Sequence, residues 1–426
     1  MKKIVLSIIM ILALLLSWKG VARAAEKYTS TSIINGKTIN WEYEINDSNK
    51  IENLVCKNPS DIIGELIIPD VIDGKNVLSV GEDAFSYGEN IESVVIKGSI
   101  ETINLRAFQG CSNIKRVDLG NVKSINSPFD GCESLEEVFI PKTVISGSFY
   151  GCSNLKKVEF EEGMTRIPNS ICYKVPIESV NLPSTVDTIG DGAFSNCDKL
   201  KKIDLTGIKT VEAFAFKNCK ELNELILPEN ILICSQAFDG CESLTEIKIP
   251  KTIFPSAPIM EGYFTNCPNL KNVTFEDGTK KISPILSCSD VEEIVIPNSV
   301  NTIESYSFYN TKKLKKITIL KNVEIMESDT GEEEIFQNHD PELTIYCNRN
   351  SVAAEYAIKH NIKYVYVDEE ENSAKDDKDN SKSDPTIAPT PIPQTGQSIM
   401  VALGIVSVIG LGVYTYRRLK NYRDVI

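Results

Sequence analysis

Residues 186–249 read VDTIGDGAFSNCDKLKKIDLTGIKTVEAFAFKNCKELNELILPENILICSQAFDGCESLTEIKI, and the reading of this stretch decides the fold. Phe194, Phe216 and Phe238 are each followed three residues on by Cys197, Cys219 and Cys241. Next come Leu200, Leu222 and Leu244, then Ile203, Leu225 and Ile247, then Leu205, Leu227 and Ile249. The frame F-x-x-C-x-x-L-x-x-I-x-[IL] therefore recurs every 22 residues. A fixed period of that length marks a solenoid, in which each coil buries its apolar edge only against its neighbours.

Working outward, the frame recurs upstream at Phe108/Cys111/Ile114, Phe129/Cys132/Leu135 and Phe149/Cys152/Leu155. Downstream it recurs at Phe264/Cys267/Leu270, Ile285/Cys288/Val291 and Phe308/Thr311/Leu314. Ile171/Lys174/Ile177 reads as a degenerate copy with its cysteine displaced to Cys172, and Phe85/Gly88/Ile91 as a first copy without one. Strand starts at 63, 91, 114, 135, 155, 177, 200, 222, 244, 270, 291 and 314 give about twelve coils. Leu-x-x-Ile-x-Ile is a short strand with alternate side chains inward, so the strands stack as a parallel sheet on one face. Pro69, Pro141, Pro183, Pro228, Pro250 and Pro297 follow and stop such strands. Gly/Asp/Ala/Ser-rich text before each Phe predicts short turns or single 3₁₀ turns opposite. The expected fold class is a β-rich α/β solenoid with a spine of stacked Phe.

Eight of the twelve cysteines fall in one column of this frame. Stacked coils carry equivalent side chains in parallel, which aims neighbouring thiols poorly for a disulfide. A ladder of free, buried thiols is expected. Cys56, Cys172, Cys234 and Cys347 lie outside the column. The net charge of −14 repels phosphate backbones, so no nucleic-acid partner is expected.

The flanking segments break the repeat. Residues 1–24 read as a secretory signal, with Lys2 and Lys3, an apolar run from Ile4 to Trp18, and Ala22-Arg23-Ala24. Residues 25–62 predict a capping β-hairpin: Lys37–Ile45 alternates as a strand, Asn46–Asn49 turns, and Ile51–Val55 returns. The coils and a C-terminal cap fill 63–367. Residues 343–367 close the array: Leu343–Tyr346 is a last strand, Ser351 caps a helix from Val352 to His360 that stops at Asn361, and Ile362–Val367 forms a covering strand. Residues 368–391 are an acidic, then Pro-rich linker. Residues 392–426 combine Ile392-Pro393-Gln394-Thr395-Gly396, an apolar run from Ile399 to Tyr416, and Arg417-Arg418-Leu419-Lys420. Such a run just suffices to span a bilayer, with its cationic tail on the cytoplasmic side.

The repeats resemble the BspA-type bacterial leucine-rich repeats over roughly 62–367. The resemblance is carried by Ile68-Pro69-Asp70-Val71-Ile72-Asp73-Gly74-Lys75, Ala84-Phe85, the Phe-x-x-Cys-x-x-Leu frame and the closing SVAAEYAIKHNIKYV. The C-terminus is similar to the Gram-positive cell-wall sorting signal Leu-Pro-x-Thr-Gly, with Ile392 in the leucine place. That resemblance implies sortase recognition of Ile392, Pro393, Gln394, Thr395 and Gly396, cleavage after Thr395, and covalent attachment to cell-wall peptide. The membrane is then a transient station, and the final location is the cell wall, exposed at the surface. Characterised family members act as adhesins, which implies a protein or glycan ligand of host or bacterial origin.

The residues themselves favour a binder over an enzyme. His339 and His360 are the two histidines; neither has a convincing nucleophile partner in the sequence, and no phosphate loop or zinc-spaced cysteine pair is present. No cofactor or metal is expected. Two other readings stay open: a passive wall spacer, and a wall-associated glycan hydrolase using paired carboxylates. For a binder, the outward strand positions supply a site. They form the row Asp118, Phe139, Glu159, Asn181, Asp204, Ile226, Lys248, Thr274, Val295 and Thr318. Its candidate partner-binding residues are Phe139, Asn181, Ile226, Lys248 and Val295.

Overall fold

The structure, a computed structural model, describes residues 26–256, 262–320, 323–325 and 335–367. The signal segment, the linker, the sorting segment and part of the 251–264 insertion lie outside the described residues. Within them the chain forms a solenoid of about 13 coils with parallel sheets and little helix. The strand Thr344–Cys347, read from sequence as part of the cap, pairs in parallel with Lys316–Ile319 and adds a coil to the expected twelve.

Pairing follows the repeat. Lys202 lies opposite Glu224, Ile203 opposite Leu225 and Asp204 opposite Ile226. Along Glu137–Ile140 burial alternates exposed, buried, exposed, buried, the pattern of a strand with one wet face. A second set of parallel ladders, not anticipated, runs along another side of the coils. It is built of two- or three-residue strands such as Thr102–Ile103, Ser124–Ile125, Thr188–Ile189 and Thr210–Val211. Their inward residues Ile103, Ile125, Ile189 and Val211 are fully buried. A strand of two residues is too short to show alternation in a sequence.

The Phe spine forms. Phe85, Phe108, Phe129 and Phe149 stack at 5.0, 5.2 and 5.5 Å between ring centroids. Phe194, Phe216, Phe238 and Phe264 stack at 5.4, 5.4 and 5.2 Å, and Phe308 stacks on Phe336 at 5.3 Å. Offset pairs at such distances contribute about 0.5–1.5 kcal/mol beyond their buried area. Trp41 closes one end edge-on to Phe85 and Tyr356 the other edge-on to Phe336, each at 6.0 Å.

The spine has two gaps, and there the sequence frame is out by one residue. In regular coils the Phe amide donates to the residue just before the next Phe: Phe194 to Ala215 and Phe216 to Ala237. Phe149 donates to Ile171, so Cys172, not Ile171, takes the ring place, and Val175 takes the thiol place. Two residues past the ring, Asn196 and Asn218 donate to Lys217 and Asp239; Cys288 donates to Tyr309 in the same way. Leu286 therefore takes the ring place and Ser289 the thiol place. The thiol column holds Cys111, Cys132, Cys152, Cys197, Cys219, Cys241 and Cys267 but not Cys288, which corrects the expected eight. The cause is one residue fewer between ring place and strand, as Cys172–Ile177 and Leu286–Val291 show against Phe194–Leu200. Volume is made up nearby. Phe160 stands in a strand place that holds Ile140 and Ile249 elsewhere, and its ring meets Phe194 edge-on at 6.4 Å. Phe275 holds the same strand place before Leu286.

Two residues past the ring, each coil needs a left-handed backbone. Asn196, Asn218 and Asn266 stand there at φ 60, 57 and 54, and Gly110, Gly131 and Gly240 at 68, 75 and 74. These are the residue types that enter that region most readily.

The N-terminal cap contains the expected hairpin of β2 (Lys37–Ile45) and β3 (Ile51–Cys56), extended to a three-stranded meander by β1 (Lys27–Ile34). Asn35 and Gly36 join β1 to β2 with φ 49 and 78, the Asn-Gly turn favoured in two-residue hairpins. β3 then pairs in parallel with the second ladder, Leu54 opposite Val80. Asn35 Nδ2 donates to the carbonyls of Ile63 and Glu65, both at 2.8 Å, covering the outer edge of β4 (Gly64–Ile68). At the other end α1 (Val352–Lys359) starts at Ser351, whose Oγ accepts from the Ala354 amide, and the chain turns at Asn361 with φ 54. Its last described strand, Lys363–Tyr366, pairs in parallel with Thr344–Cys347.

Candidate partner-binding surface

Strand register decides whether the outward row is a real surface. Phe139 lies opposite Glu159, Glu159 bridges to Asn181, and Asp204 lies opposite Ile226. Lys248 lies opposite Thr274, and Val295 opposite Thr318. The structure thus places these residues at equivalent outward positions of successive strands. It also extends the row. Ile67 and Val95 precede Asp118, and Tyr346 and Val365 follow Thr318. Tyr346 and Val365 escaped the sequence reading because they sit in the irregular cap, outside the 22-residue frame.

Phe139, Ile226 and Val295 expose 49, 56 and 62% of their surface, and Asn181 and Lys248 are also exposed. Beside them runs a charged row whose members pair from coil to coil. Lys157 Nζ meets Glu137 at 2.6 Å, Lys202 meets Glu224 at 2.9 Å, and Lys316 meets Glu293 at 3.5 Å. Exposed pairs of this kind contribute only about 0.2–1 kcal/mol each. Their effect here is to offset charge on the flank, beside a row in which Phe139, Ile226 and Val295 alternate with polar and charged side chains such as Glu159, Asp204 and Lys248. Lys316 also lies 5.2 Å over the Tyr346 ring.

The thiols are built into the core. Cys111 Sγ donates to Phe85 O at 3.1 Å, Cys132 to Phe108 O at 3.3 Å, and Cys219 to Phe194 O at 3.2 Å. None of the twelve cysteines forms a disulfide among the described residues. Burial pushes Cys111, Cys152 and Cys267 up to about 12, and Cys197, Cys219 and Cys241 well above their ordinary value. A thiol so protonated is a poor nucleophile. His339 holds the thiol place of the Phe336 coil and its Nδ1 lies 2.6 Å from Asp340 O, while His360 stacks on Tyr356 at 4.1 Å. Among the described residues no group of three or more His, Cys, Asp or Glu is placed to hold a metal ion. No helix among them is long and apolar enough to cross a membrane. The segments around Ile392–Gly396 and Ile399–Tyr416 lie outside the described residues.

The sequence matches the family described as BspA type leucine rich repeat region (6 copies), over residues 49–171, 126–235 and 209–339. No curated protein matches the chain. Among solved structures, a leucine-rich repeat protein of Bacteroides ovatus is 20% identical with a TM-score of 0.40, covering 80% of this chain and 98% of its own. A leucine rich cell surface protein of Faecalibacterium prausnitzii is 19% identical, covering 72% and 98%, with a TM-score of 0.35. A leucine rich repeat protein of T. pallidum is 25% identical, covering 48% and 87%, with a TM-score of 0.35.

Proposed function

The chain belongs to the BspA-type leucine-rich repeat family, and we propose that it is a wall-anchored surface protein binding a macromolecular partner through the outward face of its long parallel sheet. The observation that supports this most is the row itself. Phe139, Ile226 and Val295 stay about half exposed or more on successive parts of one face, while Glu137, Lys157, Lys202, Glu224, Glu293 and Lys316 beside them are paired from coil to coil. Scattered exposed apolar residues are ordinary on proteins, so the alignment is what carries the reading. Asn181 and Lys248 supply polar contacts at the same level.

Anchoring rests on the sequence. In this reading residues 1–24 direct export, Ile392-Pro393-Gln394-Thr395-Gly396 is cut after Thr395 by a sortase, and Thr395 is joined to cell-wall peptide. The segment 368–391 then holds the solenoid away from the wall. The chemistry of the site is recognition rather than catalysis, since the thiols are locked and both histidines serve in packing.

Two measurements test this. Thr395→Ala should move the protein from the covalent wall fraction to the membrane or medium; retention in the wall after hot detergent extraction contradicts anchoring. Cells displaying the full chain should bind saturably to at least one of a set of matrix proteins, plasma proteins and neighbouring bacteria. A passive spacer would bind none.

A further inference from the structure

A cavity lies on the outer face of the other sheet, where the N-terminal cap joins the second ladder. It measures about 580 Å³. A second cavity of about 350 Å³ shares Asn53 and Asn104 with it, so the two form one groove across β3 and the first coils. Its volume lies in the range of small-ligand sites.

The chemistry of the groove is unusual for so acidic a protein. Its carboxylates are already committed. Glu42 is held by Lys27 at 2.7 Å, Glu82 by Arg106 at 2.7 Å, and Glu101 by Lys123 at 2.9 Å. Glu44 accepts from Asn53 Nδ2 at 2.9 Å, and Glu52 from Asn46 Nδ2 at 2.8 Å. A cationic ligand would have to compete with Lys27, Arg106 and Lys123 for three of these carboxylates, and an anionic one would meet all five. Between the charged groups the groove offers neutral hydrogen-bonding side chains. Asn104 Nδ2 donates to Asn53 Oδ1 at 3.2 Å, which leaves the Asn104 oxygen as an acceptor. Asn126 Oδ1 accepts from Ser124 at 3.3 Å, which leaves its amide hydrogens as donors. Ser79 and Thr102 add hydroxyls in register on successive coils. Beside them Leu105, 44% exposed, and the half-buried Val55 offer an apolar strip.

Carboxamides and hydroxyls that both give and accept hydrogen bonds, set against an apolar strip, match the two faces of a sugar ring: hydroxyls at the rim, C–H groups on the flat. We propose that this groove binds a neutral oligosaccharide. The site is separate from the outward row and stands or falls without it.

The test is titration of the full chain with cellotetraose, maltotetraose and triacetylchitotriose, with 3′-sialyllactose and tetralysine as the charged comparisons. At least one neutral oligosaccharide binds saturably, and Asn104→Ala with Asn126→Ala weakens it at least tenfold while thermal unfolding is unchanged. Leu105→Ala, which touches none of the hydrogen bonds above, weakens it at least threefold. Three results each overturn the proposal: no saturable binding to any of the three neutral sugars, tighter binding of sialyllactose or tetralysine, or wild-type affinity in the double variant.

Discussion

Replacing Phe216 by alanine removes a ring that is fully buried and stacked at 5.4 Å on both Phe194 and Phe238. Truncating a buried Phe typically costs about 3–5 kcal/mol, transfer energy and cavity together. Two stacked neighbours place Phe216 at the upper end, about 5 kcal/mol. In a globular core that loss would be shared by the whole molecule. In a solenoid it falls on the coils in contact and fades with distance. The ring column is interrupted at Cys172 and Leu286, so the damage should be strongest between these coils. Hydrogen exchange followed along the chain checks this. Protection should fall for amides around Phe194, Phe216 and Phe238 and stay near wild type around Phe108 and Phe129. A uniform rise in exchange from end to end would refute the reasoning.

Three further outcomes follow from the same packing. Cys172→Phe should be destabilising by about 1–3 kcal/mol through overpacking, and Phe160→Ile in the same chain should relieve it, since Phe160 fills the space beside the small residue; a thermal-melt double-mutant cycle showing additive losses would contradict the volume argument. Ser289 is buried in the thiol place and its hydroxyl finds no hydrogen-bond partner among the described residues, whereas Cys267 in the preceding coil reaches Phe238 O at 3.3 Å; Ser289→Cys should raise stability by about 1–2 kcal/mol in denaturant unfolding. The buried thiols predict weakness to alkali. Burial raises Cys111, Cys152 and Cys267 from an ordinary 9.0 to about 12, so the unfolded chain loses its thiol protons first. Stability is unaffected below about pH 9 and falls between about 9 and 12, by about 1.4 kcal/mol per pH unit for each such thiol; an unfolding free energy flat across that window would contradict it.

Most of the solenoid is legible because its signal is repeated. Phe, Cys, Leu and Ile at fixed offsets reveal the spine, the thiols and the long sheet, and period two then places Phe139, Ile226 and Val295 outward. What was not legible is what breaks the repeat or is too short to carry a period. Aligning coils on their strands slipped the ring place by one at Cys172 and Leu286, because the residue lost lies between ring and strand. Elsewhere Asn or Gly two residues after the ring marks its place, but at the two slips Lys174 and Cys288 hold that left-handed position, so the usual signal is missing where it is needed. The second ladder hides in Thr-Ile and Ser-Ile pairs five or four residues before the Phe, as at Thr102-Ile103 and Ser124-Ile125. The Asn35-Gly36 hairpin turn is legible as a dipeptide, but the strand before it, Lys27–Ile34, is mostly polar and lacks the apolar alternation of Lys37–Ile45. The groove had no sequence signal, since Asn53 and Asn104 are joined only when the cap docks on the second ladder.

The central claim is that the outward row is the binding face, and affinity measured on the double variant Phe139→Ala with Ile226→Ala tests it most directly. A residue at the centre of an interface typically carries more than about 1 kcal/mol. The account predicts at least a fivefold loss of partner affinity with an unchanged melting curve. Wild-type affinity in that variant, for a partner bound saturably by the parent chain, would contradict it and move the site off this face.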